Sequence, residues 1–191
     1  MRNIRKIAIF ASGEGTNTER IIKFFKGHKH IRVTLLVCNK KSAPVIKRAE
    51  GLGVNILLIN NDQLNDIKHF LIEDGIDYIV LAGFLRKIPE DIVNEYEDRI
   101  FNVHPSLLPK FGGKGMYGSN VHEAVIESGE KKSGITIHLV NKEYDKGKFL
   151  LQAEVMVGEK TTPESLAKKI HMLEYLYYPG VIEEYIIRNF K

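Results

Sequence analysis

An amide and an imidazole lie two residues apart in the segment FNVHPSLLPKFGG, which begins at Phe101. Because alternate residues of an extended chain point the same way, we expect Asn102 and His104 to share one side and Val103 to face the core. A carboxamide can donate a hydrogen bond to an oxygen that gains negative charge, and an imidazole can donate or accept a proton. The pair is therefore a candidate site for stabilising an oxyanion. A polar strand end with a hydrogen-bonded histidine is the alternative.

A carboxylate that could support an imidazole follows the segment GITIHLV, in the turn that contains Asp145. Within that segment His138 alternates with Ile135, Ile137 and Leu139, so we expect it to leave the apolar face. A carboxylate beside an imidazole favours the charged ring and raises its pKa. The sequence Asp-Lys-Gly is equally typical of an ordinary turn, so both interpretations stay open.

A third segment of chemical interest is SGEGTN, from Ser12 to Asn17, between an apolar run and a predicted helix. Glycines let the backbone approach a ligand closely, and the free amides of a helix N-terminus attract anions, so a phosphate site is plausible. A dinucleotide site is disfavoured because the third glycine of its pattern is Thr18 here and no acid ends the second strand. A tight turn from strand to helix is the alternative.

Alternating apolar and amphipathic segments must position these residues, and they predict an α/β protein with a mostly parallel sheet. Five strands are expected first, with helices between them, and two more follow in the second half. Ligands of such sheets bind beyond the carboxyl ends of strands, where Asn102 and His104 fall. The predicted strands are KIAIFAS, IRVTLLVC, VNILLI, DYIVLAG, RIFNVH, GITIHLV and LLQAEVMV.

The ends of the helices are predicted from short local patterns. Thr16 and Glu19 have the spacing of a capping box, which predicts a helix start at Thr16. The segment DQLNDIKHFLIEDG predicts one helix that ends at Gly75. The tail after residue 160 predicts two helices with a break near Pro179. No linker or internal repeat is visible, so we expect a single domain over residues 1–191.

Bulk composition excludes several classes of protein. The chain has 191 residues, 43% of them hydrophobic, and a formal charge of +4 spread along its length. A nucleic-acid-binding protein more often concentrates basic residues in one stripe, and no run reaches the about 18 apolar residues of a membrane span. The N-terminal apolar stretch is too short for a signal peptide and is better explained as a strand. The single Cys38 cannot form an internal disulfide, which favours a reducing, cytoplasmic location.

Taken together, the motifs of the sequence resemble those of one enzyme family. SGEGTN, LAGFLRKIP, FNVHPSLLPKFGG and GITIHLVNKEYDKG, in this order and spacing, resemble the phosphoribosylglycinamide formyltransferases, a family of folate-dependent enzymes of purine synthesis. The resemblance implies a three-layer α/β/α, Rossmann-like fold. It also implies direct formyl transfer from 10-formyltetrahydrofolate, as a co-substrate, to the amine of phosphoribosylglycinamide. No metal is implied, and the histidines, including His28 and His30, lack the spacing of zinc ligands.

The resemblance also implies roles for single residues. Asn102 and His104 would stabilise the oxyanion, with His104 moving a proton and Asp145 supporting it. Glu174, which by residue type alone would be a surface acid of a helix, would bind ribose hydroxyls. The substrate phosphate would lie on Gly15, Thr16 and Asn17. The folate would contact the backbone of two segments, which are Leu85, Arg86, Lys87 and Ile88, and Asn141, Lys142, Glu143, Tyr144 and Asp145, together with Asn102.

Other folate-dependent enzymes and an inactive binding module are the alternatives to a phosphoribosylglycinamide formyltransferase. Methionyl-tRNA formyltransferase adds a C-terminal RNA-binding barrel and formyltetrahydrofolate deformylase an N-terminal domain, and we expect room for neither. An inactive binding module is disfavoured because Asn102, His104 and Asp145 are all present. We expect small-molecule substrates, neither nucleic acid nor membrane as a partner, and a monomer or weak homodimer. The glycine-rich loop from Lys110 to Asn120 is expected to be mobile and to close over substrate.

Overall fold

The computed structural model describes residues 4–60 and 62–190. In chain order the strands are β1 (Arg5–Ala11), β2 (Ile31–Cys38), β3 (Asn55–Leu58), β4 (Tyr78–Leu81), β5 (Ile100–His104), β6 (Lys132–Leu139) and β7 (Phe149–Met156). The helices are α1 (Thr16–Phe24), α2 (Val45–Gly51), α3 (Ile67–Glu73), α4 (Glu90–Glu95), α5 (Ser119–Glu127) and α6 (Pro163–Arg188), with a 3-10 turn at Gln63–Asn65.

The strands of the described residues form a seven-stranded sheet in the order β3-β2-β1-β4-β5-β6-β7. β1 runs parallel to β2 and to β4, and β2 runs parallel to β3, whereas β6 and β7 are antiparallel. This confirms the predicted α/β, Rossmann-like fold with a mostly parallel sheet. Strands alternate with helices as far as β5, which is the pattern that parallel neighbours require.

Two compact units divide the chain, Met1–Phe101 and Asn102–Lys191, and the boundary falls within β5. The expectation of a single domain over residues 1–191 stays a prediction. Each predicted site residue belongs to one unit: the glycine loop and the segment at Leu85 to the first, and Asn102, His104, Asp145 and Glu174 to the second.

In the first unit β1 is the central buried strand, with residues 7–11 fully excluded from solvent. Buried apolar strands of this kind are expected where both faces of a sheet are covered. One hydroxyl then joins three strand ends. Ser12 Oγ donates a hydrogen bond to Asn39 Oδ1 (2.7 Å) and accepts one from the Leu85 N–H (3.3 Å). These residues follow β1, β2 and β4, so a single side chain ties together the loops at the carboxyl ends of those strands.

In the second unit the long helix α6 packs against β6, β7 and α5. Its buried stripe repeats every four residues: Leu166, Ile170, Glu174, Tyr178, Ile182 and Ile186. Thr162 caps the helix in a reciprocal arrangement with Ser165, and Pro163 stands in the first turn.

The predicted break near Pro179 is wrong, because α6 continues through that residue. A proline inside a helix removes one hydrogen bond and costs about 3 kcal/mol or more. The buried stripe continues on both sides of Pro179, and each fully buried isoleucine contributes roughly 1.5–3 kcal/mol. Burial of the continuous face therefore outweighs the lost hydrogen bond.

Two predicted helix signals also need correction. α1 begins at Thr16 as predicted, but Gly15 is its N-cap and no side chain caps it, so Thr16 and Glu19 form no capping box. Glu19 is instead paired with Lys23 and Arg48. The single helix predicted for DQLNDIKHFLIEDG is a 3-10 turn followed by α3. It ends as predicted before Gly75, whose φ of +69° suits glycine.

Candidate active site

β5 places Asn102 and His104 at its carboxyl end, next to the turn that follows β6. His104 Nδ1 lies 3.6 Å from Asp145 Oδ2, and His138 Nε2 lies 3.7 Å from Asp145 Oδ1. Asn102 Nδ2 lies 3.1 Å from His138 Nε2. The amide, the two imidazoles and the carboxylate thus form one cluster, called the polar cluster below: Asn102, His104, His138 and Asp145. The expected approach of Asp145 to a histidine is present, and it involves two.

Burial within β5 differs from the simple alternation expected from the sequence. His104 is only 4% exposed, whereas Asn102 and Val103 are both partly buried. Val103 is therefore not the core residue that the sequence predicts. The imidazole is the buried member because the loop after β5 turns back over it.

The Asp145 carboxylate is held by its own backbone as well as by its neighbours. Asp145 has a φ of +56°, a left-handed conformation that aspartate and asparagine tolerate better than most residues. Its Oδ2 accepts a hydrogen bond of 2.8 Å from the Gly113 N–H. Gly147 supports the turn, because a Cβ there would overlap the Leu139 carbonyl oxygen. A glycine at position 147 therefore lets the turn pass this close to the end of β6.

Backbone carbonyls fix the ring nitrogens of both histidines. His104 Nε2 lies 2.7 Å from the Phe111 carbonyl oxygen, and His138 Nδ1 lies 2.9 Å from the Leu139 carbonyl oxygen. A carbonyl oxygen can only accept, so each of these nitrogens carries a hydrogen and donates it. Neutral His104 is therefore protonated on Nε2, and neutral His138 on Nδ1.

Burial sets the charge of the cluster. Burial lowers the pKa of the His104 imidazole, and Asp145 and the Phe111 carbonyl offset only part of this effect. The carboxylate does act to raise this pKa, as predicted, but the desolvation of a buried ring outweighs one carboxylate at 3.6 Å, so the net pKa is lowered. Burial also acts to raise the pKa of Asp145, but His138, His104 and the Gly113 N–H outweigh it and lower that pKa. At neutral pH the cluster holds an ionised carboxylate and an uncharged His104.

A buried hydroxyl holds the proline-containing loop after His104. Thr136 Oγ1 donates to the Ser106 carbonyl oxygen (2.8 Å) and accepts from the Leu108 N–H (3.0 Å). Gln152 Nε2 adds bonds of 2.9 Å to the same hydroxyl and to the Leu108 carbonyl oxygen. These bonds from β6 and β7 fix the path of the loop, and the loop in turn carries Phe111 onto His104. No sequence pattern had indicated Thr136 or Gln152.

The predicted phosphate loop lies between β1 and α1 in the first unit. Gly15 has a φ of +76°, and a Cβ there would overlap Val45. The first intrahelical bond of α1 runs from the Glu19 N–H to the Gly15 carbonyl oxygen (2.9 Å), so the amides at the start of the helix, including those of Thr16 and Asn17, make no such bond. Arg48 Nε donates to the Glu14 carbonyl oxygen (2.8 Å) and fixes the loop from α2.

Glu174 lies in the middle of the buried face of α6 and is 6% exposed. Residue type alone had favoured a surface acid, and that interpretation is wrong because the buried stripe of α6 includes position 174. Burial raises the pKa of Tyr178, one turn further along, and the Glu174 charge adds to the effect. A carboxylate placed in such a stripe is expensive unless it has a partner or a ligand.

The two segments predicted to bind folate are mostly exposed. Leu85, Arg86 and Lys87 are exposed and Ile88 is buried, so Ile88 could offer only its backbone. Asn141, Lys142, Glu143 and Tyr144 are also exposed. The Asn141 side chain accepts a hydrogen bond from the Glu143 N–H (2.9 Å), which orders the turn before Asp145.

No helix in residues 4–60 and 62–190 is both long and apolar enough to cross a membrane. Within the same part of the chain, no group of three or more histidine, cysteine, aspartate or glutamate side chains could hold a metal ion. Cys38, the last residue of the apolar run VTLLVC, is fully buried, and the cytoplasmic location stays a prediction.

Comparison with known proteins decides the family. The formyl transferase family matches residues 5–182. The chain belongs to the formyl transferase family. A curated relative from Bacillus subtilis (strain 168), phosphoribosylglycinamide formyltransferase, is 34% identical over 97% of this chain and 97% of its own. The chloroplastic phosphoribosylglycinamide formyltransferase of Arabidopsis thaliana is 41% identical over 93% of this chain. This chain spans 64% of that relative, and 60% of the one from Vigna unguiculata.

Solved structures of formyl transferases agree with the fold. The phosphoribosylglycinamide formyltransferase of Bacillus halodurans superposes with a TM-score of 0.87 at 33% identity, and 95% of each chain is covered. The resemblance to this family predicted from the motifs is therefore confirmed. The roles of single residues are a separate question, and they depend on the geometry of the site.

Proposed function

We propose that this formyl transferase moves the formyl group of 10-formyltetrahydrofolate to the amine of phosphoribosylglycinamide in purine biosynthesis. The observation that carries the proposal is the polar cluster, in which Asn102, His104 and Asp145 meet at the end of β5. The names of the relatives and of the solved structures support the same reaction.

In this reaction the amine lone pair forms a bond to the formyl carbon, and the electrons of the carbonyl move to its oxygen. The tetrahedral intermediate then collapses and expels N10 of the folate, which takes up a proton. A buried site can favour such an intermediate by aiming donors at the oxygen that becomes negative. The Asn102 amide would supply one donor. Losing a donor of this kind costs about 3–4 kcal/mol, or on the order of 100- to 1000-fold in rate.

His104 would take part in stabilising the oxyanion and in moving the proton. In the present conformation its Nε2–H is donated to the Phe111 carbonyl oxygen, so this bond must break before that nitrogen can contact substrate. Catalytic hydrogen bonds often form only in the substrate complex. Once Nε2 is released, the neutral ring can carry its hydrogen on Nδ1, facing Asp145, and Nε2 can then accept a proton. The Asp145 carboxylate stabilises the charged ring that results.

The remaining assignments concern binding. The substrate phosphate would lie on the backbone of Gly15, Thr16 and Asn17, because backbone amides at a helix start attract anions. Glu174 would accept hydrogen bonds from ribose hydroxyls. The folate would contact the backbone of residues 85–88 and 141–145. The predicted closure of the loop from Lys110 to Asn120 stays a prediction.

The deciding experiment is an absorbance assay for tetrahydrofolate release from 10-formyltetrahydrofolate, run with and without phosphoribosylglycinamide. We expect release that depends on the amine, with formylated product in equal amount. Release at the same rate without the amine would identify a hydrolase, and no release in either case would identify an inactive binding protein. Either outcome would refute the proposal.

A further inference from the structure

His138 is a buried histidine for which the proposed reaction has no role. It lies in β6, is 2% exposed, and uses both ring nitrogens within the protein. Nδ1 is 2.9 Å from the Leu139 carbonyl oxygen and Nε2 is 3.1 Å from Asn102 Nδ2. A buried ring with two such contacts has no nitrogen left to offer a substrate, so any role it has must act through a neighbour.

The Leu139 carbonyl determines where His138 carries its proton. Because the carbonyl can only accept, Nδ1 must donate, and in the neutral ring Nε2 then has a lone pair. The carbonyl is itself held in place: the Leu139 N–H donates to the Lys148 carbonyl oxygen (2.9 Å), and Gly147 lies so close that a Cβ would overlap the Leu139 oxygen. The tautomer of His138 is therefore set by the backbone of the turn that also carries Asp145.

A lone pair on Nε2 determines the orientation of the Asn102 side chain. The two ends of an amide have nearly the same shape, but only the nitrogen can donate. With Nε2 as an acceptor, the amide must turn its nitrogen toward His138, which agrees with the 3.1 Å contact. Asp145 Oδ1 is 3.7 Å from the same Nε2, which is too long for a hydrogen bond, so it does not compete for this position.

We propose that His138 is a positioning residue that fixes the Asn102 amide so that its second N–H can reach the developing oxyanion. This inference rests on the proposed function, because it assigns a task to Asn102 in formyl transfer. If the amide could rotate by 180°, its oxygen would replace the nitrogen at the reacting centre for part of the time. An oxygen there would repel the negative charge that the nitrogen should stabilise.

Two substitutions of matched polarity separate this role from simple packing. The side-chain oxygen of His138→Gln can reach the position of Nε2 and still accept from Asn102. The shorter His138→Asn can keep the contact near Nδ1 with Leu139, but it leaves Asn102 without an acceptor. We expect His138→Gln to keep kcat within about 5-fold of wild type and His138→Asn to lower it by about 10- to 100-fold. This range lies between the loss of one neutral hydrogen bond and the loss of a whole oxyanion donor.

A change in kcat with little change in KM identifies a positioning role. Because the lost interaction acts on the transition state, KM for both substrates should stay within about 2-fold in both variants while kcat separates them. Equal kcat values for the two variants would overturn the proposal, as would a fall in kcat that merely follows the loss of thermal stability.

A measurement on the wild-type protein needs no activity and no variant. Nitrogen-15 NMR of the imidazole rings, recorded about two pH units above the ordinary imidazole pKa of about 6.5, distinguishes the two neutral tautomers. We expect a hydrogen on Nδ1 of His138. His28 is an internal control for the opposite tautomer, because its Nδ1 accepts from the backbone N–H groups of His30 (3.1 Å) and Ile31 (2.9 Å).

A hydrogen on Nε2 of His138 in this spectrum would overturn the inference even if the enzyme were fully active. Conversely, the expected tautomer in a protein that showed no amine-dependent release of tetrahydrofolate would refute the proposed function and leave the coupling of His138 to Asn102 intact. The two failures are therefore distinguishable.

Discussion

Replacing Asp145 by asparagine tests the chemistry of the polar cluster with little disturbance of its structure. Asparagine has the same shape, tolerates the φ of +56° found at this position, and can still accept the hydrogen bond from the Gly113 N–H. The substitution thus removes the negative charge and leaves the turn in place. Asp145→Ala would remove both and could not separate them.

The expected loss follows from the distance between the charges. At 3.6 Å, with an effective dielectric constant of about 20, a carboxylate attracts a charged imidazole by about 4.6 kcal/mol. His104 is uncharged in the resting enzyme and would gain charge only during proton transfer, so the transition state loses this attraction and the ground state does not. If the ring carries only part of a full charge in the transition state, the variant loses only part of this attraction. At about 1.4 kcal/mol per factor of ten in rate, the loss corresponds to a fall in kcat of roughly 100- to 1000-fold.

The assay is tetrahydrofolate release at saturating concentrations of both substrates, with thermal melting of each variant recorded in parallel. Asp98→Asn is a matched control, because Asp98 is an exposed aspartate of the first unit with nearly the same backbone conformation, φ +55°. We expect the control to keep wild-type turnover. A kcat of Asp145→Asn within about 3-fold of wild type would show that the carboxylate does not support a charged His104, and the reasoning from the cluster would fail.

Three further predictions concern stability and binding. The free energy of unfolding should fall as the pH decreases from about 7.5 to 5.5, because buried histidines with a lowered pKa bind protons more readily in the unfolded chain. Chemical denaturation at each pH measures this free energy, and a constant value would contradict the prediction. The buried histidines with a lowered pKa are His104 and His122. Glu174→Gln should raise KM for phosphoribosylglycinamide by about 10- to 100-fold, since hydrogen bonds to a charged group contribute about 1.5–3 kcal/mol. The value of kcat should change by less than about 3-fold, and a loss of kcat with an unchanged KM would contradict ribose binding. Gly15→Ala should lower the free energy of unfolding by more than the about 1–2 kcal/mol of a left-handed alanine, because its Cβ would also overlap Val45. The variant should lose the thermal stabilisation by phosphoribosylglycinamide, and stabilisation as large as in wild type would refute the phosphate loop.

Local patterns predicted the elements that position the site. The apolar run IRVTLLVC corresponds to β2 from Ile31 to Cys38 without an error in its bounds. Alternation along GITIHLV indicated that His138 leaves the main apolar face, and it does face the polar cluster. These features depend on the period of a strand, which a single sequence records directly.

Features that depend on distant residues were not accessible in this way. The pKa of His104 depends on how completely the loop from Ser106 to Phe111 covers the ring, and Thr136 and Gln152 hold that loop from β6 and β7. The helix signal at Pro179 failed for a similar reason, because packing along α6 overrides a local preference. Local propensity describes one segment, whereas burial depends on several.

The positions of hydrogens in the polar cluster bear on the proton transfer that we propose for it. The Phe111 carbonyl fixes the hydrogen of neutral His104 on Nε2, and the Leu139 carbonyl fixes that of neutral His138 on Nδ1. The two ring nitrogens nearest to Asp145, His104 Nδ1 and His138 Nε2, therefore both carry lone pairs in the neutral rings. Because His138 Nε2 accepts from the Asn102 N–H, His104 Nδ1 is the nitrogen that could take one more proton beside the ionised carboxylate. Burial lowers the pKa of His104 and keeps that proton away at rest, so a proton taken from an attacking amine would be held briefly and passed on to the leaving nitrogen.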